Sequence, residues 1–212
     1  MDSTTEALTP KFNLFGFVLA VVGGALAAGG MGFLYHLVAN KAGFDYIIAL
    51  AAILGAIVGF VVGRAGRIGG LRAVTLVMLV AFVFGVGGYA ARYFFEFNDV
   101  VETAVQEVAQ EASASGVSLA EVRQFMLDEL AQQYPPGGLV GYLQILTESG
   151  FSIGSRGSDD SDAPIKGGMA WGLLLIEALA AGGVAAYTAR GIVTPKVPAQ
   201  ASVPPSAPPT GQ

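Results

Sequence analysis

The chain has 212 residues, of which 53% are hydrophobic and only 13% charged, with a mean hydropathy of +0.61. Ordinary soluble domains are about 25% charged, so this much charge cannot cover a water-facing surface. The net charge is −5, with one histidine and no cysteine, which excludes disulfides, thiolate metal sites, cysteine nucleophiles and any multi-histidine metal site within one chain.

In chain order, a short flank (1–12) precedes three apolar blocks at about 13–39, 44–63 and 71–95, and a fourth follows at 168–190. Each reaches the roughly 20 residues that a helix needs to cross about 30 Å of hydrocarbon. The first block is too long for a signal-peptide core, and its leader carries Asp2 and Glu6 rather than a basic cluster. It reads as a retained anchor helix.

Between the third and fourth blocks lies an acidic insert, 96–167. Val101, Val105, Val108 and Ala112 recur at helical spacing, and Gly116 ends that helix. Ser118 and Glu121 have capping-box spacing before an apolar stripe of Val122, Met126 and Leu130. After Tyr134-Pro135-Pro136-Gly137-Gly138, a more apolar helix over 139–147 is expected against the membrane surface. A Gly/Ser/Asp-rich loop over 152–166 leads into the last span, and the Pro/Ala-rich tail, 191–212, is expected to be disordered. The predicted fold is all-α: an integral membrane four-helix bundle with a small helical extramembrane insert between the third and fourth spans.

Basic residues predict the orientation. Lys11, Arg64, Arg67 and Arg72 flank one side of the first hairpin and Lys41 the other, which places the N-terminus inside. With four spans, the C-terminus is then cytoplasmic too and the insert outside. The arginines at 64, 67 and 72 could also engage anionic lipid or a cytoplasmic partner, although topology alone accounts for them.

Glu177 stands inside the fourth block, where an ionised carboxylate is costly, and intramembrane acids are functional candidates by default. Ala170, Ala181 and Thr188 share its helical face, which turns it towards other helices. Glu177 and Thr188 form a candidate intramembrane polar site, against the plainer reading of a protonated Glu177 making one interhelical hydrogen bond. A second candidate cluster gathers near the outer ends of the first three spans: Tyr35, His36, Asp45, Tyr89 and Arg92, with Asp45 and Arg92 a possible ion pair. The alternative there is an aromatic interfacial belt with a snorkelling arginine. Gly55, Gly59 and Gly63, with Gly182 between Ala178 and Ala186, form small-residue packing faces.

Two enzyme-like strings carry no chemistry. Gly150-Phe151-Ser152-Ile153-Gly154 matches a nucleophile elbow, but no histidine follows it. Gly85-Val86-Gly87-Gly88-Tyr89-Ala90 lies inside an apolar block without βαβ context. No catalytic residue, cofactor or metal is expected. The expected partners are the lipid bilayer and a protein met through the 96–167 insert or the glycine faces, with no nucleic acid.

The glycine-spaced second span ending in Gly63-Arg64-Ala65-Gly66-Arg67, the short loop to Arg72, and the segment from Gly150 through Ser155-Arg156-Gly157 resemble uncharacterised bacterial four-span membrane proteins with a polar insert before the last helix. The resemblance covers about residues 20–190 and implies four spans in a bacterial inner membrane, with no attached activity. Because Glu177 alone breaks the apolar pattern at depth and the insert holds no convergent catalytic set, the expected function is that of a non-catalytic accessory or scaffold component. A small channel or transporter subunit that uses Glu177 is the alternative.

Overall fold

The computed structural model describes residues 12–42, 47–111, 118–150 and 164–194. These are all-helical: α1 (Leu14–Ala42), α2 (Ile47–Ile68), α3 (Val74–Glu111), α4 (Leu119–Gln133), α5 (Gly138–Ser149) and α6 (Gly168–Val193). Four of them, α1, α2, α3 and α6, are long and apolar enough to cross a membrane.

The packing is inverted relative to a water-soluble bundle. Ala20, Ala51, Ala81, Ala181, Ala185 and Ala189 are fully buried, while Leu26, Phe60, Leu79 and Leu175 are each more than half exposed. Large apolar side chains on the outside are stable only in an apolar solvent. Without a hydrophobic drive between helices, small residues let backbones touch and gain dispersion contact. The chain thus has the build of a multipass membrane protein.

The tightest seam joins the parallel helices α2 and α6. A Cβ added at Gly55 would overlap the carbonyl oxygen of Ala181, and one at Gly59 that of Ala185; at Gly63 it would lie 3.1 Å from the Ala189 Cα. Gly182 meets the Phe82 ring of α3, where an added Cβ would stand 2.8 Å from ring carbons. These glycine faces therefore pack within the chain. Helices α1 and α6 lie on opposite sides, with α2 and α3 touching between them.

Two helices run further than hydropathy suggests. The second continues through Arg64 and Arg67 to Ile68, so the expected arginine loop is mostly the last turns of α2. There Arg67 Nη1 donates to the Ile192 carbonyl, 3.4 Å away near the end of α6, where a cation also complements the helix dipole. Only a short turn remains, with Gly70 at φ +74°. The third span does not stop at 95. Helix α3 is one unbroken rod of 38 residues, about 57 Å long, and its last turns form the first helix of the insert.

The insert builds its own small core on that rod, from Phe97, Val101, Val105, Val122 and Tyr142. Val108 turns outwards instead, and Ala112 and Gly116 lie outside the described residues. Helix α4 starts on a full capping box: Ser118 N–H donates to Glu121 Oε2 at 2.9 Å, and Glu121 N–H to Ser118 Oγ at 3.3 Å. The Ser118 N–H, and the Ser118 hydroxyl that also donates to Oε2 at 2.8 Å, hold the Glu121 carboxyl below the usual carboxylate range. The carboxylate half of the cap therefore stabilises α4 fully above that range and loses its contribution as pH falls through the lowered value, while the bond to Ser118 Oγ does not titrate. Ser118→Ala is expected to speed amide hydrogen exchange in the first turn of α4 at neutral pH, and by a smaller factor in strong acid, where the bond from Glu121 N–H to Ser118 Oγ is all that the substitution removes.

Helix α5 closes the insert end of the bundle. Leu139, Leu143 and Leu146 pack on the bundle core, and Leu139 and Leu146 also touch the insert core. Gly167 N–H donates to the Thr147 carbonyl at 2.7 Å, tying α5 to the start of α6. Thus one face of α5 packs on protein at this end of the bundle.

Candidate functional site

One face of α3 carries Tyr89, Arg92, Tyr93 and Glu96 at i, i+3, i+4 and i+7, the spacing that stacks side chains along a helix. The face points into the insert end of the bundle, where α1 contributes Tyr35 and α6 contributes Glu177. Tyr35, Tyr89, Tyr93, Arg92 and Glu177 are all buried. The aromatic belt is therefore not what forms here, because these tyrosines face inwards, and Arg92 does not snorkel.

Glu177 is fully enclosed. Its Oε2 accepts a short hydrogen bond from the Tyr89 hydroxyl. That hydroxyl also lies 3.2 Å from the Tyr93 hydroxyl. A phenol has one proton, so Tyr89 spends its own on Glu177 and Tyr93 donates to Tyr89. The Arg92 guanidinium lies 4.4 Å over the Tyr35 ring and 4.9 Å from the Tyr93 ring centre. A desolvated guanidinium between two π faces gains about 2 kcal/mol from such contacts. Arg92 Nε and Nη1 and Glu177 Oε1 remain without a protein partner.

Towards the insert the polar column continues. Glu96 neighbours Tyr142 of α5, and burial together with the Glu96 charge pushes the Tyr142 phenol above its ordinary range. In the other direction it stops. Beyond Glu177 the buried interior is Val58, Val62, Leu71, Val77, Ala181, Ala185 and Ala189. The column is blind at that end.

The structure redistributes the residues singled out from sequence. Tyr35, Tyr89 and Arg92 join Glu177 in one cluster rather than forming a separate outer site. His36 points elsewhere: its Nε2 lies 2.7 Å from Asp99 Oδ2 and 3.3 Å from Asn40 Nδ2. Asp45, and with it the Asp45–Arg92 pair, lies outside the described residues, as does Ser152. Ala170 and Ala181 share the buried face of Glu177, but Thr188 is eleven residues further along α6, about 16 Å down the axis, and belongs to no part of the cluster. Sequence reasoning missed Tyr93, Glu96 and Tyr142. The spacing from Tyr89 could have found the first two; nothing local marks Tyr142. No three potential metal-ligating residues converge among the described residues.

Comparisons with protein-family models, with curated proteins and with solved structures find no match.

Proposed function

We propose that the protein is a non-catalytic accessory or scaffold component of a bacterial cell membrane, in which a stiff four-helix bundle presents an acidic helical insert to a protein partner. The observation that carries this reading is the continuity of α3. The same rod forms the bundle and the floor of the insert core, so the insert is held at a fixed angle rather than tethered. The blind end of the polar column supports it further, because a single chain offers no polar route past Glu177. In this reading both termini are cytoplasmic and the insert is outside.

Orientation has a direct test, because the chain lacks native cysteine. Gln124→Cys on α4 is expected to react with a membrane-impermeant thiol reagent in intact cells, whereas Ile68→Cys at the end of α2 is expected to be protected. The opposite pattern would reverse the topology.

Partner binding is tested with a photocrosslinking residue at Phe125, an exposed apolar position on α4, beside one at the lipid-facing Leu79. The expected result is one reproducible protein adduct from position 125, abolished when Asp128 and Glu129 are changed to lysine, and only lipid adducts from position 79. Identical adducts at both positions, or none at 125, would rule out an insert-mediated partner.

A second reading, a small channel or transporter subunit, is favoured by one observation: the orphaned polar atoms of Glu177 and Arg92. It requires another chain to continue the path beyond the blind end. A hydrophobic carbodiimide that attacks protonated carboxyls should then label Glu177 only in the assembled oligomer; labelling that is absent in every state counts against it.

A further inference from the structure

Arg92 on α3 and Glu177 on α6 carry opposite formal charges and are 8% and 0% exposed. No direct ion pair joins them; His36 and Asp99 make the ion pair seen among the described residues. Tyr93 connects them: its ring centre lies 4.9 Å from the guanidinium, and its hydroxyl lies 3.2 Å from the Tyr89 hydroxyl that bonds Glu177. Tyr89 occupies one carboxyl oxygen of Glu177, and the Tyr35 ring lies against the guanidinium. What is left over is specific: two N–H-bearing nitrogens of Arg92, Nε and Nη1, and one oxygen of Glu177, Oε1. Buried polar groups without partners are rare in native proteins, and each calls for a reason.

The chemistry of an occupant follows from the signs. An anion would be drawn to Arg92 and repelled by the Glu177 carboxyl. A cation would meet the reverse. A neutral molecule that accepts from N–H and also donates to oxygen answers both, and water is the smallest such molecule. Buried waters make about three hydrogen bonds to groups that would otherwise be unsatisfied. Arg92 offers donors, Glu177 Oε1 an acceptor, and the Tyr93 hydroxyl oxygen a spare lone pair.

We propose that Arg92 and Glu177 enclose a binding site for water, which bridges guanidinium to carboxyl and links α3 to α6 at the insert end of the bundle. The site needs neither a protein partner nor transport, so it stands or falls apart from both readings of function. It also gives a reason for the leftover atoms of an arginine and a glutamate to share one buried cluster without a direct ion pair.

The test uses full-length protein in lipid nanodiscs with isotope-labelled arginine. The Arg92 Nε–H resonance, assigned by its loss in Arg92→Lys, is expected to show a dipolar cross-peak to water of the sign given by a long-lived bound molecule. Glu177→Leu removes the acceptor and fills its space, and is expected to lose the cross-peak. Glu177→Gln keeps an oxygen and is expected to retain it. No water cross-peak in the wild type would overturn the proposal. So would a resonance averaged by free exchange with bulk solvent, or a cross-peak that survives Glu177→Leu unchanged. If Glu177→Leu does not fold, the wild-type spectrum decides alone.

Discussion

Gly59→Leu is expected to unfold or grossly loosen the bundle. An added Cβ at this position overlaps the Ala185 carbonyl oxygen, and a backbone atom cannot swing away as a side-chain tip can. Overpacking a well-packed interior costs about 1–3 kcal/mol when side chains alone must move. Here α2 and α6 must separate along a seam that also includes Gly55 and Gly63, so a loss of about 3 kcal/mol or more is expected. Phe60→Leu, one residue on but facing outwards, is the control and should stay near wild type. Reversible unfolding in mixed micelles measures both. Equal stability of the two variants would mean that α2 does not pack through this face.

Glu177→Leu has the second-largest expected effect. It strands the Tyr89 hydroxyl, which then turns to Tyr93 or goes unpaired. Losing the partner of a buried polar group costs about 1–3 kcal/mol, whereas polar contacts between membrane helices average about 0.6 kcal/mol, because the unfolded state in lipid also finds partners. The larger figure should win, since one substitution disturbs Tyr89 and Tyr93 together. Glu177→Gln still accepts from Tyr89 and is expected to lie much closer to wild type. A Leu variant as stable as the Gln variant would show that the hydrogen-bond chain contributes little to holding α3 and α6 together. A folded Gln variant that lost its cellular phenotype would instead favour the transporter reading.

The number and class of the spans were legible in the sequence because lipid thickness imposes a length that hydropathy records directly. Their ends were not. A helix ends where its backbone hydrogen bonds end, and hydropathy does not report that. Arg64 and Arg67 are polar yet still helical, and Glu96 closes an apolar block without breaking α3. The capping box at Ser118 was readable, since its whole chemistry lies within four residues. Glu177 could be placed on an inward face from Ala170 and Ala181. Its union with Tyr35, Tyr89 and Arg92 could not be foreseen, because it depends on three helices meeting at one depth, and separation along the chain carries no such information. His36 is the counterpart: close to Tyr35 in sequence, it sits on another face of α1 and finds Asp99.

The unbroken α3 also makes the molecule a lever. About 15 of its residues, from Phe97 to Glu111, extend beyond the apolar part of the rod, an arm of about 22 Å. Membrane helices answer a thinner or thicker bilayer by changing tilt, and a change of about 10° would carry the far end of that arm sideways by about 4 Å. With no hinge between lipid and insert, the thickness of the surrounding membrane is written directly into where the insert points.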